Sequence, residues 1–355
     1  MRFLILSVLA LLAGILTVPN AFADGGDFYL TYIPTSDYLT YETWLQDRDI
    51  FEIHIMTLNN FFKLPHDVEI IIADSSYAPD CEYPNAFYAD SKILICYELI
   101  ADTEYRFEQY YERQSGYDWT TQEQIDRLND SVENVIENTL YHELGHALID
   151  IYGLPTTGLE ENVADQFAAY FALQFPYQDD PKNTIGQSVV LDTAWDYYLI
   201  SEEYPDLTPS HFADTHSLNE QRFYNLACWT YGAYPNDSQW MLDEEFALAD
   251  RAEYECEDDY QDMVQFWNCQ PVFQEGVIPA SALSSCPVSS GGFDPSGIIF
   301  LVIVSVIIGV VIAIIKSRKK TSIAPLAQQP KITCRNCNHL NRSTSKVCAK
   351  CGTSI

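Results

Sequence analysis

Two histidines flank a glutamate in the run His-Glu-Leu-Gly-His at residues 142–146. Side chains four residues apart share one face of an α-helix, so the imidazoles of His142 and His146 can bind the same ion. Glu143 projects about 100° further around the helix axis, toward a water molecule on that ion. The spacing therefore predicts a metal site at which Glu143 accepts and returns a proton.

A catalytic zinc ion needs a third protein ligand and an open position for water. A second predicted helix, 160–174, begins with the acidic pair Glu160 and Glu161. We expect Glu161 to be the third ligand, because it is followed four residues later by another acid, Asp165, on the same helix face. Asp165 would accept a hydrogen bond from the outer N–H of a ligating histidine and fix its tautomer. Glu160 is the alternative ligand.

A developing oxyanion also needs a hydrogen-bond donor, and the sequence offers two candidates after the ligands. Asp214 stands two residues before His216 and can hold its imidazole, whereas Tyr231 offers a phenol. Of these two predicted catalytic groups we favour His216. Three further histidines have no partner at ligand spacing and are interpreted as surface or core groups: His54, His66 and His211.

The helix that carries the histidine pair is predicted over residues 121–152. Thr120 and Glu123 have the spacing of a capping box at its start, and Gly153 with a following proline ends it. Apolar residues recur at helical spacing between these limits.

Residues 41–62 ahead of this helix also have helical periodicity, whereas 68–72 and 93–97 are short β-rich runs. The two runs are candidates for neighbouring strands. Together the elements predict an α+β fold, with residues 24–286 as one large domain.

The chain has 355 residues, with 51 acidic side chains against 19 basic ones and a formal net charge of −32. Every acid lies within 24–294 beside nine basic residues, a balance of −42 for that span. This charge argues against a nucleic-acid partner. It could attract basic peptides or equally serve solubility. A hydrophobic content of 47% and an aromatic content of 14% supply enough apolar area for a core, which excludes a disordered acidic tail.

Two apolar segments predict the topology. Residues 1–23 have the charged start, apolar run and small-residue end of a secretory signal peptide, with an uncleaved anchor as the alternative. Residues 297–315 carry no charge and would span roughly 28 Å as a helix, close to a ~30 Å bilayer core. The basic linker 316–330 follows this segment, so we expect a single-pass type I membrane protein with the domain outside, joined to the span by a linker at 287–296.

The cysteines divide at the predicted membrane span. Six precede it, in a compartment that permits disulfides, and we expect the pairs Cys81 with Cys96 and Cys256 with Cys269. The partners of Cys228 and Cys286 stay open.

Four cysteines form two Cys-x-x-Cys pairs within residues 331–355, a pattern that predicts a structural zinc ribbon: Cys334, Cys337, Cys348 and Cys351. Metal would supply much of the folding energy of so small a unit. The basic tail could meet a cytosolic protein, anionic lipid or RNA, or serve topology and solubility alone.

The motifs carry a family resemblance. The run YHELGHALID at 141–150, with EENVAD at 160–165, resembles the gluzincin branch of zinc metallopeptidases. With NAFY at 85–88 and FYNLACWTYG at 223–232, the chain is similar to a narrower metallopeptidase-like family known mainly as a domain of unknown function, over about residues 65–270.

The resemblance implies a zincin-like fold, zinc ligands at His142, His146 and Glu161, and Glu143 as general base and acid. It also implies an extended peptide substrate along an edge strand near 87–96.

These observations predict a membrane-anchored zinc metallopeptidase that faces outward, with one catalytic zinc ion and one structural zinc ion. The alternative is a non-catalytic sensor or receptor of the same fold, which binds a peptide outside and a cytosolic partner through the ribbon. An intact Glu143 favours the enzyme, because a binding module has no use for the base. A structural envelope protein would leave the whole group of residues unexplained.

Overall fold

The computed structural model describes residues 25–114, 120–156, 158–175, 183–243 and 246–286, with 331–333, 335 and 340–342 of the tail. The strands are β1 (Phe28–Tyr32), β2 (Val68–Ala73), β3 (Ala86–Ala89), β4 (Lys92–Cys96), β5 (Lys331–Thr333) and β6 (Leu340–Arg342). The helices are α1 (Leu39–Asp47), α2 (Ile50–Phe61), α3 (Tyr97–Arg113), α4 (Gln122–Tyr152), α5 (Glu160–Gln174), α6 (Thr184–Glu203), α7 (Pro209–Phe212), α8 (Asn219–Ala233), α9 (Ala249–Tyr254), α10 (Cys256–Asn268) and α11 (Ala280–Leu283). The domain therefore has the predicted α+β composition.

The sheet of the domain has the strand order β1-β2-β4-β3. β1, β2 and β4 are parallel, and β3 is antiparallel to β4. In the registered pairs Ile70 stands beside Leu30 on one side and Ile93 on the other. The two predicted β-rich runs are thus neighbouring strands. The predicted edge strand at 87–96 is corrected: its first part, β3, is at the edge, whereas β4 lies between two partners.

The helical stretch predicted at 41–62 is two helices instead of one. The break falls at Asp49, whose backbone is left-handed with φ of 52° at the start of α2. Apolar periodicity does not reveal a left-handed residue that breaks a helix, because the apolar pattern continues on both sides of Asp49.

The long helix α4 begins and ends close to its predicted limits. Gly153 ends it with φ of 57°, a conformation that glycine adopts at little cost. The predicted capping box is wrong, since Thr121 and not Thr120 stands at the N-cap position and its side chain makes no capping hydrogen bond.

The core lies between the sheet and the central helix α4, which packs against α3, α5 and α6 and against strands β3 and β4. Aromatic side chains hold α5 in place. Tyr141 meets Phe171 edge to face with centroids 4.8 Å apart, and Phe167 meets Trp267 of α10 at 4.7 Å. The body of α5 is therefore anchored, which fixes the position of the acids in its first two turns.

Disulfides join the six cysteines of the domain in three pairs. The predicted pair Cys81–Cys96 is confirmed. The predicted pair of Cys256 with Cys269 is wrong: Cys228 pairs with Cys256, and Cys269 pairs with Cys286. Cys228 belongs to α8 and Cys256 starts α10, so these two helices must pack side by side before the pair can form. Sequence separation does not show that contact.

The prediction of a transmembrane helix as part of the fold is not supported and is corrected here. Among the described residues, no helix is both long enough and apolar enough to cross a bilayer. The segment 297–315 lies outside those residues, as do the predicted signal at 1–23 and the four tail cysteines. Of the predicted ribbon the structure describes the antiparallel pair β5 and β6, and the metal site of the ribbon stays a prediction.

Candidate metal centre

Three side chains from two helices converge on one point. The Nε2 atoms of His142 and His146, on α4, lie 3.3 Å apart. Glu161 Oε2, in the first turn of α5, lies 3.2 Å from His142 Nε2 and 3.1 Å from His146 Nε2. The structure thus brings together the three residues that the sequence predicts as ligands, with their donor atoms all within 4.8 Å of one another.

The chemistry of these donors fits a zinc ion. Two imidazole nitrogens and one carboxylate oxygen are the ligand set of catalytic zinc sites that keep an open position. The described residues hold one other group of candidate ligands, formed by Cys81, Cys96 and Glu98. Its two sulfurs are joined in a disulfide, so they are not available as thiolates.

Asp165 orients the first histidine. Its Oδ1 lies 2.8 Å from His142 Nδ1 and accepts that N–H, which leaves Nε2 free to bind an ion. The carboxylate also accepts hydrogen bonds from Arg222, at 2.8 Å from Nε and 2.7 Å from Nη2. Burial alone would raise the pKa of Asp165, but the Arg222 guanidinium and the His142 imidazole hold it well below its usual range. The group is therefore an ionised acceptor.

Glu160 orients the second histidine, His146. Its Oε1 lies 2.9 Å from His146 Nδ1, on the opposite side of the ring from Glu161. The alternative assignment of Glu160 as the ligand is therefore disfavoured by geometry. Each histidine has one carboxylate at Nδ1 and shares the Glu161 carboxylate at Nε2.

Burial lowers the pKa of both ligand histidines, but hydrogen bonds to carboxylates outweigh it and raise the pKa above the ordinary value. At His142, burial is outweighed by hydrogen bonds to Asp165 and Glu161, which raise the pKa to about 9. A metal ion that binds here must displace the proton on Nε2 of each histidine, because only a neutral imidazole is a ligand.

Glu143 stands beside the ligands on α4 and is 5% exposed. Burial raises the pKa of its carboxyl group, and the neighbouring His142 and His146 oppose the shift. A carboxylate of raised pKa is a stronger base, which suits a group that must take up a proton during a reaction.

His216 reaches the same centre from the segment between α7 and α8. Its Nε2 lies 3.0 Å from Glu161 Oε2, and its Nδ1 lies 3.3 Å from Asp214 Oδ1, as the Asp-x-His spacing suggested. The next residue fixes this segment, since Ser217 Oγ donates to Asn162 Oδ1 at 2.7 Å. The imidazole remains 45% exposed and can meet a ligand from solvent.

Tyr231 does not lie at the centre, and its assignment as a catalytic phenol is corrected. The side chain is buried in a separate core cluster with Met241 and Leu248, and its hydroxyl accepts a hydrogen bond from Gln239 at 3.4 Å. Tyr231 lies nine positions after Arg222 in α8, roughly 13 Å along the helix axis. Arg222 contacts the centre from the first turn of α8, and Tyr231 lies more than two turns further along the same helix.

The glycine inside the motif lets the two helices approach. A Cβ atom built on Gly145 would lie 3.0 Å from the Ala164 Cα and 3.3 Å from the Ala164 Cβ. The side chain of any other residue would press on the backbone of α5 next to Asp165.

We expect Gly145→Ala to weaken metal binding at the centre, because α5 must move by a few tenths of an ångström and carries Glu161 with it. Crowding costs about 1–3 kcal/mol, and the better helix propensity of alanine returns up to about 1 kcal/mol. Thermal unfolding and chelator competition would measure the two effects. Unchanged metal affinity in both Gly145→Ala and the bulkier Gly145→Ser would contradict this role of the glycine.

The fold and the site define an α+β protein with a candidate metal centre where its central helix meets the next one. Residues 33–270 match the family described as "Putative metallopeptidase", and the chain belongs to that family. The match extends further toward the N-terminus than the predicted 65–270. No curated protein and no solved structure matches the chain. The family supports a peptidase-like function.

Arg222 is the main site residue that the sequence analysis missed. It belongs to the run Arg-Phe-Tyr-Asn in α8, where an arginine among aromatic residues was the available signal. Its contact with Asp165 joins residues 57 positions apart, which sequence spacing cannot show.

Proposed function

We propose that this protein is a zinc-dependent peptidase whose centre is formed by His142, His146 and Glu161. The observation that carries the proposal is the convergence of three donor atoms within 4.8 Å, with the buried Glu143 carboxylate on the helix that carries the two histidines. A binding module needs the ligands but not the base. The presence of Glu143 therefore favours hydrolysis over metal binding alone.

One zinc ion held by these ligands would lower the pKa of water toward ~7 and polarise a peptide carbonyl group. Glu143 accepts a proton from the attacking water and returns it to the nitrogen of the leaving amine. His216, held by Asp214, donates a hydrogen bond to the oxyanion that develops on the carbonyl oxygen. Asp165 and Glu160 keep the two ligand imidazoles in their orientations throughout.

The proposed substrate path follows the edge strand β3. This strand packs against α4, and Tyr88 donates a hydrogen bond from its hydroxyl to Asp150 of that helix at 2.9 Å. An extended peptide can add to the free side of an edge strand through main-chain hydrogen bonds. The proposal thus replaces the longer predicted edge at 87–96 with Ala86–Ala89.

Charge supports basic peptides as the substrate class. Several of the described basic residues are engaged in pairs with carboxylates: Arg48, Lys92, Arg106, Arg127, Arg222 and Arg251. The remaining acidic groups give the domain a strongly negative surface, which attracts cationic ligands and repels anionic ones.

We further propose that the domain works in an oxidising compartment outside the cytoplasm. The three disulfides support this location, because such bonds persist where thiols are not kept reduced.

Removal and return of the metal tests the function. We expect the purified full chain to cleave members of a mixed peptide library, to lose this activity with a zinc chelator such as 1,10-phenanthroline, and to recover it on addition of zinc. Mass spectrometry of the products would identify the cleaved bonds. Cleavage that persists unchanged in the chelator would contradict a zinc mechanism.

A further inference from the structure

The guanidinium of Arg222 makes a two-point contact with Asp165 beneath the proposed zinc centre. Its Nε donates to Asp165 Oδ2 at 2.8 Å and its Nη2 donates to Asp165 Oδ1 at 2.7 Å. A planar fork of this kind fixes the rotation of a carboxylate as well as its position, which a single ammonium group does not.

One carboxylate oxygen of Asp165 accepts hydrogen bonds from both Arg222 and the proposed zinc ligand His142. Asp165 Oδ1 accepts from Arg222 Nη2 and, at 2.8 Å, from His142 Nδ1. Rotation of the carboxylate would therefore break the hydrogen bond that sets the tautomer and ring orientation of His142. All three side chains are at most 8% exposed, so solvent has little access to them and a lost donor leaves a buried acceptor without its partner.

A fourth helix, α6, holds the arginine itself. The Arg222 Cζ atom lies 3.9 Å from the centroid of the Tyr197 ring, on α6, in a cation–π contact. The chain of contacts thus runs from Tyr197 through Arg222 and Asp165 to His142. It connects α6, α8, α5 and α4.

We propose that Arg222 is a positioning residue of the metal centre, which sets the zinc affinity by holding Asp165 in the rotamer that orients His142. The inference rests on the proposed function and assigns to α8 a role in metal binding in addition to packing. Residues that orient a metal ligand typically change metal affinity by about 10–100-fold when they are replaced.

A second buried arginine offers a matched control. Arg106 Nε donates to Asp196 Oδ1 at 2.8 Å and Arg106 Nη2 donates to Asp196 Oδ2 at 2.9 Å. Arg106 is 7% exposed and Arg222 is 8% exposed, so the two forks are alike in geometry and burial. Arg106 has one further partner, because its Nη1 also pairs with Asp102. The Arg106 fork joins α3 to α6 and does not contact a proposed zinc ligand.

The test compares Arg222→Lys with Arg106→Lys in the full chain, in a background of Cys334→Ser and Cys337→Ser that removes the predicted tail site. Lysine keeps the positive charge and loses the fork, which favours a folded variant. Zinc affinity is measured by chelator competition and stability by thermal unfolding. We expect Arg222→Lys to lose about 10-fold in zinc affinity. Arg106→Lys should lose at least as much stability, with its zinc affinity within about twofold of the parent.

A double-mutant cycle distinguishes positioning from packing. It measures whether the effects of Arg222→Lys and Asp165→Asn on zinc affinity depend on each other, which a general packing role does not require. If Arg222 acts through Asp165, adding Arg222→Lys to Asp165→Asn should cause little further loss of zinc affinity. Additive losses would overturn the proposed route. Parental zinc affinity in a folded Arg222→Lys variant would overturn the inference alone, whereas a parent that binds no zinc would overturn the proposed function together with it.

Discussion

Replacement of Glu143 by glutamine should lower kcat/KM for peptide cleavage by about 10²–10⁴-fold, the usual contribution of a general acid–base group. The amide has nearly the same shape as the carboxylate but cannot accept a proton from water. Glu143 is buried and is not among the three converging donors, so zinc content and thermal stability should stay close to those of the parent. Activity would be measured on the peptides identified by the library screen.

Glu137 provides the control for this substitution. It is a buried glutamate on the same helix, 3% exposed, and accepts a hydrogen bond from the Tyr141 hydroxyl at 2.8 Å. We expect Glu137→Gln to keep kcat/KM within a few-fold of the parent. A Glu143→Gln enzyme that is as active as Glu137→Gln would remove the proton-transfer role from Glu143.

Replacement of Glu161 by alanine should abolish stable zinc binding at the centre. The substitution removes the one anionic ligand, whose Oε2 lies within 3.2 Å of the Nε2 atoms of both His142 and His146. The loss in affinity should exceed the roughly 10–100-fold change typical of a group that only orients a ligand. Chelator competition in the same tail-cysteine background as above would measure it, and peptide cleavage should fall in parallel.

Replacement of the neighbouring Glu160 provides the comparison that separates a ligand from an orienting group. It contacts the other nitrogen of His146, so Glu160→Ala should weaken zinc binding by no more than about 100-fold. A larger loss of zinc affinity in Glu160→Ala than in Glu161→Ala would contradict this assignment. Glu160 would then be the ligand and Glu161 the residue that orients His146.

The sequence was most informative where the determinants are local. The predicted helix 121–152 agrees with α4 (Gln122–Tyr152), and the predicted helix 160–174 agrees with α5 (Glu160–Gln174). The spacing within these two helices also identified the converging donors, because the relative positions of residues on one helix turn follow from helix geometry.

Errors arose where the determinants are contacts between distant segments. The disulfide of Cys256 depends on the packing of α10 against α8, and the edge of the sheet depends on where β4 finds its second partner. Tyr231 belongs to a helix that does reach the centre, but through its first turn at Arg222. Local periodicity identifies such elements and does not specify how they meet.

Zinc content tests the central claim most directly. The unaltered full chain and a variant with both His142→Ala and His146→Ala would be purified in the same way and their zinc measured by elemental mass spectrometry, so that metal bound by the tail cancels in the comparison. The account predicts that the unaltered chain carries about one more zinc ion per molecule than the variant. Equal zinc content in two folded proteins would contradict a zinc centre at these residues.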